Sequence, residues 1–522
     1  MYTLGINANN HEGAACLVQD GAVLAAASEA RLWPHRAQPC APTQAAACLP
    51  SRAITACLAQ AGITLHDVDH AASDLVLAAG PQWRSQWQQV GRQHAIDAAA
   101  YLASPFESCA VLATDCQGAT GDTTYGVWQE GSYRRLATPG NAPSLARLYT
   151  RVARHLGFPG PAGQARVTAL AAYGRPGFVG QFRDLVRYRG QRSLDLPNAD
   201  LADLLGPPRA ALAALEQRHI DIAHSLQRVL EDTTLDIANR LHAQSAQTRL
   251  SIAGHFAGNW ALNASLRSRS GFHELWAQPA GVGEGVAIGA ALLVDAAQRG
   301  QPPRSWSMDH VFLGPQFHED EIEAVLRQSK LAYRRCFDIA RDTAALLSQG
   351  KVVGWFQGRM EAGDDPLGAR SILAAPTDPT MQDRLNDMTG RDDFLPVPAI
   401  VLAEAAADWF VGSGDLPCMQ CSETLLPHLA HRIPAVRHVD GSARVHAVRR
   451  EQHALLYDLV QAHGRMTGIP VLANLPFGMA NEPVAARPRA ALESFCSMPL
   501  DALAIGPFLL EKSSLTAWRG IP

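Results

Sequence analysis

The feature that most constrains this chain is one strand pattern stated twice. Residues 3–7 are apolar, Asn9-Asn10-His11-Glu12-Gly13 is turn chemistry, and apolar character resumes over 14–19. Asp20-Gly21 is a hairpin signal, and 23–28 supplies a third strand. The pattern returns as a strand over 109–114, a polar turn at Asp115-Cys116-Gln117-Gly118 and a strand over 123–128. Hairpin-linked strands before the first helix exclude the β-α-β opening of a dinucleotide-binding domain. The echo implies two similar lobes with a cleft between them.

At 522 residues the chain exceeds one core, so two or more domains are expected. Segments 51–61, 88–102 and 219–244 read as helices, the last with helical apolar spacing and neither proline nor glycine. Residues 250–254 form a strand that runs into a helix start, a geometry suited to approaching phosphate. Gly281-Val-Gly-Glu-Gly-Val-Ala-Ile-Gly is a second glycine-rich turn, and no Walker loop occurs anywhere. Polar, proline-rich composition near Arg299 places a linker between about 296 and 345. Lys351 then opens a second, strand-led domain. The expected domains are therefore 1–335 and 345–522.

A net charge of −4 and a pI near 6.5 give no broad basic field, so nucleic acid is not an expected partner. No apolar run approaches the roughly 20 residues of a membrane span, and the N-terminus lacks the features of a signal peptide. Ten scattered cysteines do not form a disulfide framework, which fits a reducing cytoplasm. Cys418 and Cys421 form a lone C-x-x-C, read as ordinary thiols.

Several ordered motifs carry a resemblance. They include Gly5-Ile-Asn-Ala, His11-Glu-Gly-Ala-Ala-Cys-Leu, Leu170-Ala-Ala-Tyr-Gly, Ala253-Gly254 with Asn259 and Asn263, and Gln278-Pro-Ala. Further along come Gly358-Arg-Met-Glu-Ala-Gly, Leu367-Gly-Ala-Arg-Ser-Ile-Leu-Ala, His438-Val-Asp-Gly-Ser-Ala-Arg, and Asn474-Leu-Pro-Phe before Asn481-Glu-Pro. Together they resemble the antibiotic and nodulation-factor O-carbamoyltransferases, over nearly the whole chain. The resemblance implies a mixed α/β protein. An actin-like (ASKHA) two-lobed transfer domain would precede a YrdC-like twisted-sheet domain that forms an adenylate. It further implies ATP as cofactor and a small-molecule acceptor, in a natural-product pathway of the cytoplasm. Assembly as a homodimer is left open.

Set against the family pattern, the carbamoyl-phosphate end departs from it. Where the family has its first arginine this chain has Asp365, after Asp364, while Arg370 and Ser371 remain. Such a reversal is worth several kcal/mol, about what two unit charges near 4 Å exchange at intermediate dielectric. Arg391, His438, Asp440, Arg444 and Asn474 match family nucleotide positions, as do Gly254, Asn259, Asn263 and Gly285 in the first domain. Their competing reading is packing or solvated surface. Arg92 and Ile96 stand where the family has a metal-binding His-x-x-x-His pair, although His94 and Asp97 lie nearby. Asp115 matches a metal-ligating aspartate, whereas Gly283 replaces the last ligand, beside Glu284. The family's iron-type site is therefore expected to be lost, with magnesium on Asp115 and nucleotide phosphates as the substitute. Catalysis would fall to His11, Glu12 and Asp221, able to take the acceptor's proton. Structural readings of the two acids are a turn cap and a helix N-terminal charge. Arg166 keeps a positive charge where the family has lysine.

Three functions follow from this comparison. The first is ATP-dependent carbamoyl or related acyl transfer. The second is a ligase or cyclase on the same scaffold, with Asp364 and Asp365 facing a cationic substrate. The third is an inactive homologue acting as a binding partner.

Overall fold

Short apolar runs broken by turn residues become two five-stranded sheets of the same order. The computed structural model describes residues 1–8, 12–33, 49–75, 86–116, 123–137, 144–160, 162–188, 194–195, 200–301, 303–412, 417–479 and 482–512. The first sheet holds β1 (Tyr2–Asn7), β2 (Ala14–Gln19), β3 (Ala22–Ser28), β4 (His70–Ser73) and β5 (Gln86–Gln89). Its order is β3-β2-β1-β4-β5, with β4 parallel to β1 and β5 parallel to β4. The second holds β6 (Cys109–Thr114), β7 (Thr123–Gln129), β8 (Ser132–Ala137), β9 (Arg249–Gly254) and β10 (Glu274–Ala277). Its order, β8-β7-β6-β9-β10, repeats the first: a meander on one side of the leading strand and parallel strands on the other. This duplication gives the two similar halves that the strand echo implies.

Among the helices, α1 (Arg92–Leu102), α2 (Gln217–Ser245), α3 (Trp260–Arg269) and α4 (Gly281–Gln298) position the site. Helix α1 starts later than expected, because Gln88 and Gln89 are taken by β5. Helix α4 corrects the expectation that no segment suits a membrane. By length and composition it is apolar enough to cross one, but 67% of it is buried inside the protein. It packs on β1 and α1 at very short range. A Cβ on Gly289 would lie 1.8 Å from the carbonyl oxygen of Ala95.

Contacts gather the chain into two units. One is Met1–Asn9, Ala15–Val23 and Leu65–Met308; the other is Asn10–Ala14, Leu24–Thr64 and Asp309–Pro522. The division at Met308 and Asp309 falls within the expected linker of 296–345, whose later part carries regular elements. Helices Glu319–Ser329 and Ile339–Ser348 flank β11 (Arg334–Arg335). Cys336 and Ile339 already belong to the second core.

The second unit is built on a nine-stranded mixed sheet. It adds β12 (Val353–Phe356), β13 (Arg370–Ala374), β14 (Ala399–Leu402), β15 (Ser422–Thr424) and β16 (Ser442–Val448). Strands β17 (Val471–Pro476), β18 (Ala502–Ile505) and β19 (Phe508–Glu511) complete the order β11-β19-β18-β12-β13-β17-β14-β16-β15. Its central strands are buried on both faces, as their continuous apolar sequence requires. Trp355, Leu373, Ile400 and Leu472 pack with Leu347, Leu456 and Val460 from helices Ile339–Ser348 and Ala454–Thr467. Each such side chain contributes about 1.5–3 kcal/mol by burial.

Packing at Gly289 yields a direct test. Gly289→Ala is expected to lower the thermal midpoint, overpacking costing about 1–3 kcal/mol. Gly180→Ala, with nothing within 4 Å of the added carbon, should leave the midpoint unchanged or raised. Equal behaviour of the two variants would contradict the close packing of α4.

Candidate functional site

In the second unit the family-like residues converge on one segment, 361–371. Glu361 is buried, and its Oε1 accepts the N–H of Leu367 at 3.0 Å. Asn474, on β17, donates through Nδ2 to the carbonyl of Pro366 at 2.7 Å. Arg31 donates to the carbonyls of Glu361 and Gly363. The stretch carrying Asp364 and Asp365 is thereby pinned from three directions.

That pinning aims Asp365 at Arg444, on β16. The Nη2 of Arg444 donates to both carboxylate oxygens, at 2.7 and 2.8 Å. The side chains are 12% and 30% exposed, so the pair is largely withdrawn from solvent. This corrects the expectation that Asp365 faces a cationic substrate, because its charge is engaged by the protein's own guanidinium. Asp364 is exposed. Enclosure by protein raises its carboxyl pKa, Asp365 and Glu12 add to the rise, and Arg31 opposes it. Glu12 is thus near enough for its charge to act on Asp364, whereas His11 lies outside the described residues.

Arg370 is fully buried and structural. Its Nη atoms donate to the carbonyls of Gln357, Ala369, Pro315 and Gly358, and its guanidinium stacks 3.7 Å from the Phe356 ring centre. Burial draws its pKa down to about 9 against the pull of Glu361. Arg391 bonds Asn386 and the carbonyl of Pro396, holding its own loop. Asp440 is half exposed and closes a turn onto the N–H and hydroxyl of Ser442, 3.7 Å from the imidazole of buried His438. Ser371 Oγ and Asn474 Oδ1, on one face of neighbouring β13 and β17, are buried and find no hydrogen-bond partner, and Arg370 Nε is likewise unpartnered on the opposite face. Buried polar atoms are nearly always satisfied, so the Ser371 and Asn474 oxygens mark a place suited to a polar ligand.

In the first unit, the ends of β6 and β9 set the geometry. These strands are parallel neighbours with Gly254 opposite Thr114. Gly254 has φ +82°, and a Cβ there would lie 1.8 Å from the carbonyl oxygen of Thr114, so only glycine fits. Asp115, next after β6, gives Oδ2 to Arg92 Nε at 2.9 Å. Arg92 also reaches Asp74 at 3.3 Å and Asn7 at 3.2 Å. Burial raises the pKa of Asp74, opposed by the N–H of Ala8 and by Arg92. Arg92 thus supplies the positive charge between two buried carboxylates. The His94–Asp97 alternative is not formed: His94 is exposed, and buried Asp97 pairs with Arg135 and Thr124. Gly283 offers a carbonyl to Asn7, and Glu284 beside it is buried.

The remaining predicted residues in this unit mostly shape the backbone. Asn259 caps α3 through the N–H of Leu262 and exchanges amide bonds with Gln227. Asn263 donates to the carbonyl of Ala257. Gly285 sits in the first turn of α4, its missing side chain facing Gln278. Asp221, in the first turns of α2, accepts from the N–H of Arg175 and from Gln217. The sequence reading missed one cluster, Asp115, Cys116 and His255, whose ligating atoms all lie within 4.8 Å.

The comparisons agree with this two-part construction. Residues 89–292 match a family model described as Carbamoyltransferase N-terminus, and residues 344–512 match Carbamoyltransferase C-terminus. The chain is 30% identical to an uncharacterised protein of Synechocystis sp., over 98% of this chain and 97% of that one. It is 30% identical to nodulation protein NolNO of Sinorhizobium fredii, covering 96% and 79% respectively. Nodulation protein NolO of Bradyrhizobium diazoefficiens is 32% identical, covering 82% and 80%.

Two histidines near this segment make the second unit acid-sensitive. Burial, with His453 adding to it, lowers the pKa of His446 to about 3, and burial lowers that of His453 to about 4. Unfolded imidazoles protonate near about 6.5, so the unfolded chain binds more protons below that pH. Stability should therefore be full above about pH 6.5 and fall as pH drops toward about 4. His446→Asn keeps an acceptor for the N–H of Cys418, which now bonds His446 Nδ1. It should lose about 1–2 kcal/mol less between about pH 7 and 4.5, read from thermal midpoints. An unchanged slope would contradict this origin.

Proposed function

Because the chain belongs to the carbamoyltransferase family, we propose that this transferase performs ATP-dependent transfer of a carbamoyl, or related acyl, group to a small-molecule hydroxyl. The pathway is a natural-product one, and the intermediate is an adenylate. A carbamate is a poor electrophile, and joining it to AMP supplies a good leaving group that must be shielded from water. The observation that carries this reading is the pair of orphaned oxygens on one sheet face, Ser371 Oγ and Asn474 Oδ1. In this proposal they hold a polar part of the adenylate, with Arg370, His438 and Asp440 as further nucleotide contacts. In the first unit Gly254 and Gly285, packed against Thr114 and Gln278, shape the turns beside which a nucleotide would lie in this proposal. Asp221, steadied through Oδ1, keeps Oδ2 to accept the proton of the acceptor hydroxyl. Glu12 and His11 are the other proton acceptors in this proposal.

A metal of the family type does not fit these residues. Arg92 stands at a position of the lost histidine pair and fills the space between Asp74 and Asp115 with its own charge. No step above uses such an ion.

A second reading is favoured by the bond from Arg444 to Asp365. A carboxylate already occupies that guanidinium, which argues for a carbonyl donor other than carbamoyl phosphate. AMP release separates the two readings, measured with and without carbamoyl phosphate. The first expects release that depends on carbamoyl phosphate; the second expects release without it, in the presence of another carboxylic or carbamic donor. Absence of both nucleotide binding and AMP release would overturn ATP-dependent transfer altogether.

A further inference from the structure

The ends of β6 and β9 carry three donor side chains that none of the roles above employs together. Because the two strands are parallel and in register at Thr114 and Gly254, the residues that follow each one emerge side by side. From β6 these are Asp115 and Cys116, and from β9 it is His255. The turn holding His255 is fixed by the N–H of Phe256 donating to Thr114 Oγ1 at 3.1 Å. Cys116 Sγ lies 2.8 Å from His255 Nε2, and Asp115 Oδ1 lies 3.5 Å from His255 Nδ1. Asp115 is 6% and His255 9% exposed in their side chains, and Cys116 is partly covered.

Sulfur at Nε2 and carboxylate at Nδ1 flank the ring, and one ligating atom from each residue also lies within 4.8 Å of the other two, close enough for all three to share one ion after a small shift. We infer that Asp115, Cys116 and His255 form a binding site for a zinc-type divalent cation, with the fourth position left for water or substrate. Thiolate, imidazole and carboxylate together suit borderline-soft zinc and disfavour magnesium, which takes oxygen ligands. Tetrahedral zinc would set sulfur and nitrogen about 3.6 Å apart, so the pair opens by less than about 1 Å on binding. Arg92 holds Oδ2 of Asp115, and Oδ1 is the oxygen on the His255 side. Binding converts the thiol to a metal thiolate and releases one proton to solvent, so affinity rises with pH.

The test loads the full-length protein with zinc, dialyses it and measures bound metal by mass spectrometry. The cobalt-substituted protein is then examined for sulfur-to-cobalt charge transfer. About one ion per chain and a thiolate charge-transfer band are expected. Cys116→Ser should abolish the band, and His255→Gln should weaken zinc binding by more than about tenfold, the cost of losing even an outer-shell partner. Cys496→Ser removes an exposed thiol elsewhere and should change neither. Wild-type protein that retains no zinc, or a cobalt form without the sulfur band, would overturn the inference. So would loss of the band in Cys496→Ser.

Discussion

A charge withdrawn from water must meet an opposite charge, and in both units this chain supplies that partner itself. Leaving a buried ion unpaired costs several kcal/mol, so each substitution near a charged site has to be balanced locally. Arg92 balances Asp74 and Asp115 at the end of the first unit's sheets. Asp365 balances Arg444 beside the central strands of the second. A neutral replacement at either place would have left the remaining charge exposed to penalty. The arrangement therefore governs which ligands each site can accept.

Much of the fold was legible because local patterns and tertiary structure agree. Helix Ser51–Ala61 and strand Cys109–Thr114 lie where periodicity places them, and the strand echo becomes two sheets of matching order. The region after Arg299 reads as a linker from its polar composition, and the division falls within it, yet its short elements dock on a core supplied from far along the chain. Strand Arg334–Arg335, for example, pairs with Leu509 and Phe508. No local signal announces a partner at that distance.

The site was legible in its residue types and much less so in their roles. Asn259, Asn263 and Arg391 match motif positions, but their polar atoms engage neighbouring backbone or Gln227. Arg370 bonds carbonyls as far away in sequence as Pro315. The link from Asp365 to Arg444 spans 79 positions, and that from Cys116 to His255 spans 139. In hindsight, a polar residue just after each of two parallel strands was the available signal for the latter pair. Cys418 and Cys421, conspicuous in sequence, are buried and form no disulfide.

The scaffold of a carbamoyltransferase thus persists while its charge arrangement has been rewritten from within. The claim on which this rests is that Asp365 holds the place of an anion on Arg444. Calorimetric titration with inorganic phosphate addresses it most directly. The account predicts little or no binding to wild-type protein, clear binding to Asp365→Asn, and loss of that binding when Arg444→Gln is added. Phosphate binding of equal strength to wild type and to Asp365→Asn would contradict it.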